Sequence, residues 1–245
     1  MEENYTLFSQ VYDEIMDQSL YEKWLDFSGR HFPSSPSVRT HEILELACGT
    51  GILSQKFAAA GYAITGVDLS AEMLEIAKKR LPEASFAQAD MRELDYQESF
   101  DAVTCYSDSL CYLPDLSDLT KTFKGVYKSL RSGGSFLFDV HSTYQTDSAF
   151  PGFAYHDNAE DFAFMWDVYA GDVAHSVTHE LTFFIKDKDG KFIRKDEVHE
   201  ERTYEIEQYL SALTEVGFTD CQFFADFADK APTDESLRWF FVAKK

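Results

Sequence analysis

The segment Glu45-Leu46-Ala47-Cys48-Gly49-Thr50-Gly51 constrains the fold of this chain more than any other. An apolar run, Ile43 to Ala47, leads into it, and Leu53, Phe57 and Ala60 leave it at helical spacing. A strand that turns on glycines into a helix reads as the first unit of a parallel βαβ sheet. Glycines there let backbone pack closely on a ligand and adopt φ values that other residues resist. The following helix N-terminus offers free N–H groups to a carboxylate or phosphate. Alone, such a turn is ambiguous, because phosphate- and dinucleotide-binding proteins share it and a purely structural turn has the same form.

The alternation continues. Strands are expected at Ala63–Val67, Ser85–Ala89, Ala102–Cys105 and Ser135–Val140. Between them, Met73, Leu74, Ala77 and Leu81 recur at helical spacing, as do Leu119, Phe123, Val126 and Leu130. Gly133-Gly134 is expected to close that last helix. Upstream, Leu7, Phe8, Val11, Tyr12 and Ile15 share a helical face, a second helix is expected from about Tyr21 to Arg30, and Pro33-Ser34-Ser35-Pro36 reads as a linker.

After Val140 the pattern changes. About 60 residues precede the next helix, against roughly 2–6 for an ordinary connection. Phe162, Phe164, Trp166 and Val168 alternate, and so do Val177, His179, Leu181, Phe183 and Ile185. Asp189-Gly190 signals a hairpin, with Phe192 to Thr203 as the return strand. This is an antiparallel insertion at the C-terminal end of a central strand, where open α/β sheets bind ligands. It reads as a lid or acceptor wall, with structural padding as the alternative. A helix from about Tyr204 to Val216, a stop at Gly217, and strands Cys221–Phe227 and Leu237–Ala243 complete the chain. The expected division is an N-terminal helical cap (1–36), a cofactor-binding core (37–142), the insertion (143–203) and a C-terminal completion of the core sheet (204–245).

Two further strand ends sharpen the glycine loop. Asp68 closes the second strand, where a carboxylate can accept both ribose hydroxyls. Asp90 closes the third, beside Met91, where an acceptor can take an adenine amino group. A single aspartate there is usually a helix cap, but three candidate sites on consecutive strand ends point to a nucleoside ligand.

Together, Glu45-Leu-Ala-Cys-Gly-Thr-Gly51, Val67-Asp-Leu-Ser70 and Ala89-Asp-Met91 resemble the class I S-adenosylmethionine-dependent methyltransferases. The chain is similar to their bacterial YqeM-like branch, over almost its whole length. Leu130-Arg-Ser-Gly-Gly-Ser-Phe-Leu-Phe-Asp139 resembles that family's entry into the fifth strand. The resemblance implies a Rossmann-like α/β fold whose seven-stranded, mostly parallel sheet has an antiparallel last strand. It also implies S-adenosyl-L-methionine as cofactor. Ala47, Gly49 and Gly51 would face its methionine end, which Glu45 would also reach, unless it braces the loop instead. Asp68 would hold the ribose, Leu69 and Met91 the adenine faces, and Asp90 the adenine amino group. Tyr106 and Ser107 would lie beneath the methyl group. Tyr5, Tyr12 and Trp24 would cover the cofactor, or serve as core.

Methyl transfer from a sulfonium needs mainly proximity and orientation. A general base enters only where the acceptor must lose a proton. Tyr106, His141 and His199 are the candidates; His199 alternates with Glu197 and Glu201, which places all three on one strand face.

The 245 residues, 44% hydrophobic, suffice for one sizeable core, and a net charge of −21 opposes a polyanionic substrate such as nucleic acid. A small-molecule acceptor is therefore expected. No stretch approaches the ~20 apolar residues of a membrane helix, and the acidic Met1-Glu2-Glu3-Asn4 start is unlike a signal peptide, so the expected location is cytoplasmic. Cys48, Cys105, Cys111 and Cys221 lack paired spacing, and His175 and His179 lack the H-E-x-x-H helix pattern, so no metal is expected. Two rivals stand. A nicotinamide-dependent oxidoreductase would need a third glycine where Ser54 stands. A module that binds the cofactor without transferring its methyl group would keep the same loop.

Overall fold

Residues 17–33 and 41–245 are described by a computed structural model. Tyr5, Leu7, Phe8, Val11, Tyr12, Ile15 and most of the Pro33–Pro36 linker lie outside the described residues.

Helix α1 (Gln18–His31) starts where Asp17 accepts the Ser19 amide at 2.9 Å. Its last turn carries Arg30 and His31, which suit the negative end of the helix dipole. It buries Trp24 and Phe27. The core then runs β1 (Glu42–Leu46), α2 (Ile52–Ala59), β2 (Ala63–Asp68), α3 (Ala71–Arg80), β3 (Ser85–Gln88), β4 (Phe100–Cys105), α4 (Leu116–Ser129) and β5 (Leu130–His141). Side-chain caps define the helix starts. Ser70 accepts from Met73 N ahead of α3, and Asp115 accepts from Asp118 N ahead of α4.

The insertion follows as β6 (Ala154–Asn158), β7 (Phe162–Ala170), β8 (Ser176–Lys186) and β9 (Phe192–Arg202). Helix α5 (Ile206–Val216), β10 (Thr219–Ala225) and β11 (Arg238–Lys244) end the chain. A capping box of Glu205 and Gln208 opens α5, and Gly217, at φ 115°, closes it.

Seven strands form one sheet in the order β10-β11-β5-β4-β1-β2-β3. β11 is antiparallel to both neighbours, while β3, β2, β1, β4 and β5 pair in parallel. The expected sheet is therefore the observed one. Both of its faces are covered. Leu44, Leu46, Val103, Phe123, Phe136 and Phe138 belong to one apolar cluster, and Trp24, Phe27, Ile43, Phe57, Leu137 and Phe240 to the other. After β1 the chain winds to β3 on one side and returns to β4 on the other. That reversal opens a crevice at the C-terminal ends of β1 and β4.

β6–β9 form a separate four-stranded antiparallel sheet. Phe162, Phe164, Phe183 and Ile185 give it an apolar cluster of its own. One local expectation differs from the structure, and one strand has no counterpart in the sequence pattern. Gly133-Gly134 does not end α4. The helix stops at Ser129, and both glycines lie within β5, where the pairing shifts from Phe100–Leu130 to Ala102–Ser135. Strand β6 has no apolar alternation to announce it, because all five of its residues are exposed.

Candidate active site

The loop from β1 to α2 alternates handedness. Ala47, Gly49 and Gly51 all take positive φ, at 52°, 54° and 77°. Alternation of this kind turns successive backbone N–H groups into one concavity, a form that accepts anions. Among the described residues, nothing lies within 4 Å of a side chain placed at Gly49, so backbone is what a ligand meets there. At Gly51 a Cβ would lie 3.0 Å from that of Ala77, so that glycine is needed for packing against α3. Gly66 in β2 is as constrained: a Cβ there would come within 2.6 Å of the Phe86 ring and 2.8 Å of Cys48 Sγ.

Glu45 lies beneath the loop, 4% exposed, and accepts a hydrogen bond from the Ser54 hydroxyl. Burial raises its carboxyl pKa from 4.5 to about 8, the Ser54 bond opposing and Asp68 adding to the rise. A desolvated carboxyl in this position is matched to a cationic partner. Asp68 accepts the Gly49 amide on one oxygen and the Ser70 amide on the other, each at 2.8 Å. A carboxylate has about four acceptor positions, so capacity remains for hydroxyl groups. Beside it, Leu69 is an apolar side chain left 67% exposed.

An anion-accepting loop, a buried carboxyl awaiting a cation, a carboxylate at the second strand end and an exposed apolar neighbour fit an amino-acid-bearing nucleoside such as S-adenosylmethionine. Asp90 is the most occupied of the candidates. It caps the short Met91–Glu93 turn by accepting Arg92 N, and the Arg92 guanidinium contacts both its oxygens before reaching Asp118. Met91 is half-buried against the core.

The other candidates divide between core and mouth. Tyr106 is buried, its hydroxyl 2.8 Å from Ser28 Oγ and its ring stacked on Trp24. Burial pushes that phenol well above its usual pKa. Trp24 is itself core, donating its indole N–H to Asp139 at 3.2 Å. Ser107 and Asp108 both take positive φ, which turns the chain sharply after β4. That turn leads into the short helix Ser109–Tyr112, and β9 lies against it.

His199 Nδ1 sits 3.2 Å from the Tyr112 hydroxyl, and its Nε2 sits 3.1 Å from Glu197 Oε2. Burial works against the Glu197 anion, yet hydrogen bonds from His199 and Lys195 hold its pKa below the usual carboxylate range. Glu201, expected on the same strand face, reaches deeper and meets His141. Tyr112 and the Arg238 contacts with Asp108 and Asp139 carry no sequence signal. They become visible only once β4, β5, β9 and β11 are brought together.

Comparison with known proteins agrees with this geometry. A family described as a methyltransferase domain matches residues 43–134. Over 98% of the chain, it is 42% identical to a protein of Geobacillus sp. (99% of that protein) and 38% identical to YqeM of Bacillus subtilis (97%). Both are named for methyltransferase activity without a stated acceptor. The structure superposes on a S-adenosylmethionine-dependent methyltransferase of Clostridium acetobutylicum with a TM-score of 0.83, at 28% identity over 98% of each chain. An amino-sugar N,N-dimethyltransferase of Streptomyces fradiae is 26% identical over 78% of this chain and 72% of its own.

Proposed function

Because the chain belongs to the S-adenosylmethionine-dependent methyltransferases, we propose that it methylates the nitrogen of a small amine held between the turn after β4 and strand β9. The observation that carries this reading is the hydrogen-bonded series Glu197–His199–Tyr112, which links the insertion to the core beside the crevice.

The cofactor supplies an activated methyl group when bound. Gly49 and Gly51 with their loop amides would hold its carboxylate, Glu45 its ammonium, Asp68 its ribose, and Leu69 and Met91 its adenine. An amine acceptor is protonated near neutral pH and has no lone pair until that proton leaves. With Nε2–H donated to Glu197, His199 Nδ1 accepts the Tyr112 hydroxyl. The tyrosine, 48% exposed, can then take the acceptor's proton as its own passes to the histidine, with Glu197 stabilising the resulting imidazolium. The −21 net charge favours a cationic amine over a polyanion. The amino-sugar specificity in the name of the Streptomyces relative supports an amine acceptor.

The test is incubation with methyl-labelled cofactor and a panel of amino sugars and small amines, alongside RNA and protein. Label is expected in a small amine. Tyr112→Phe and His199→Ala are expected to lower kcat by roughly 10²-fold or more and to move the acidic limb of its pH profile to the acceptor's own titration, without weakening cofactor binding. Label found only in RNA or protein, or full turnover by His199→Ala, would defeat the proposal.

A further inference from the structure

A second cluster lies deeper than the Tyr112 series, at the junction of β4, β5 and β9. His141 Nε2 faces two carboxylates, Glu201 Oε2 at 3.0 Å and Asp108 Oδ2 at 3.4 Å. One donor atom from each residue lies within 4.8 Å of the others. The side chains of His141 and Glu201 are both only 8% exposed. Among the described residues, Glu201 Oε2 has two histidine nitrogens near it, His141 Nε2 at 3.0 Å and the buried His179 Nε2 at 3.6 Å, and neither contact has the geometry of a well-directed hydrogen bond. Buried polar atoms without partners are uncommon and call for an explanation.

A first-row cation bonds nitrogen and carboxylate oxygen at roughly 2.0–2.2 Å, so its ligand atoms stand roughly 3–4 Å apart. The two contacts at His141 have that spacing. His179 is not a ligand. Its Nδ1 accepts the Trp166 indole N–H at 3.0 Å, and an indole nitrogen only donates, so the imidazole hydrogen sits on Nε2. That N–H faces Glu201 across 3.6 Å, the position an outer group takes beside a metal ligand.

The charges point the same way. Asp108, Asp139 and Glu201 are three buried or nearly buried carboxylates, and Arg238 is the cation packed against the first two. Among the described residues, these three carboxylates outnumber the guanidinium packed with them, an excess of negative charge that a bound cation would neutralise. Burying such an excess uncompensated is costly.

We propose that Asp108, His141 and Glu201 form a binding site for a divalent transition-metal ion, which pins the end of β9 to the turn after β4 and the end of β5. The three ligands are far apart in the chain, so no sequence spacing announces them. Its ligands are other residues than those of the glycine loop and of the Tyr112 series.

The test uses the full-length protein, freed of metal by dialysis against chelator, then titrated calorimetrically with Zn²⁺ and, by electron paramagnetic resonance, with Mn²⁺. One ion per chain and a rise in thermal midpoint are expected. Glu201→Gln, which keeps side-chain size, is expected to weaken binding by at least about tenfold, as is His141→Gln. Should His141→Gln fail to fold, Glu201→Gln decides alone. His175, paired with Asp147 and Glu205, and His199, paired with Glu197, are surface sites that could also attract zinc. His175→Ala and His199→Ala are therefore expected to leave the affinity unchanged. No stoichiometric binding, or binding lost in a surface variant and kept in Glu201→Gln, would overturn the proposal, protons on His141 and Asp139 then balancing the charge.

Discussion

Glu45 allows a quantitative test of the cofactor site. Its carboxyl is buried and titrates near 8 rather than 4.5, so it is mostly protonated at pH 7. If it receives the methionine ammonium, binding must first ionise it. About one molecule in ten is ionised at pH 7, so affinity there is about tenfold below its plateau and changes by up to tenfold per pH unit on the acid side. The ligand's own ammonium has a pKa of about 7.7–8.0, so affinity falls again above that. The expected profile is a bell centred near pH 8, with close to one proton released per molecule bound at pH 7.

Calorimetry in buffers of different ionisation enthalpy measures that proton directly. Glu45→Gln is expected to abolish the release and the acid limb, leaving only the ligand's own titration. The folding side has the same sign. A carboxyl whose folded pKa is raised gives stability that is present below 4.5 and lost as pH rises through 8. Glu45→Gln is therefore expected to flatten that loss, and bound cofactor to offset it. Binding that releases no proton at pH 7 would refute the ammonium assignment and leave Glu45 as a brace held by Ser54.

Three other outcomes follow from the geometry. Asp68→Ala is expected to weaken cofactor binding by at least about tenfold, measured by calorimetry, because the ribose hydroxyls and the Gly49 and Ser70 amides lose a charged acceptor together. Unchanged affinity in the folded variant would remove the ribose assignment. Gly66→Ala is expected to destabilise the fold by roughly 1–3 kcal/mol in urea unfolding, since the added carbon meets Phe86 and Cys48. Trp24→Phe is expected to cost roughly 1–3 kcal/mol by leaving Asp139 short of a donor, with cofactor affinity unchanged if Trp24 is core; a selective loss of affinity would instead make it part of the cofactor cover.

Local chemistry was enough to read the core. Apolar runs of strand length, helical spacing between them and glycines at one turn specify a parallel βαβ sheet, because each of these signals acts within a few residues. The candidate cofactor residues were legible for the same reason, since Glu45, Gly49, Gly51, Asp68 and Asp90 occupy consecutive strand ends. The insertion was legible as strands wherever burial imposes alternation, and β6, fully exposed, was not.

Tertiary structure decided the partners. His199 was a candidate on its strand, but only the packing of β9 on the Ser109–Tyr112 helix supplied its tyrosine. Glu201 reads as a neighbour of His199 on one strand face until the fold buries it against His141. Trp24 reads equally as cofactor cover and as core, and Tyr106 as a residue beneath the methyl group; in the structure both are buried, hydrogen-bonded to Asp139 and Ser28 respectively. The glycine loop belongs to the chain's local code. The acid–histidine clusters beside it arise from contacts between residues remote in sequence, which no local spacing encodes.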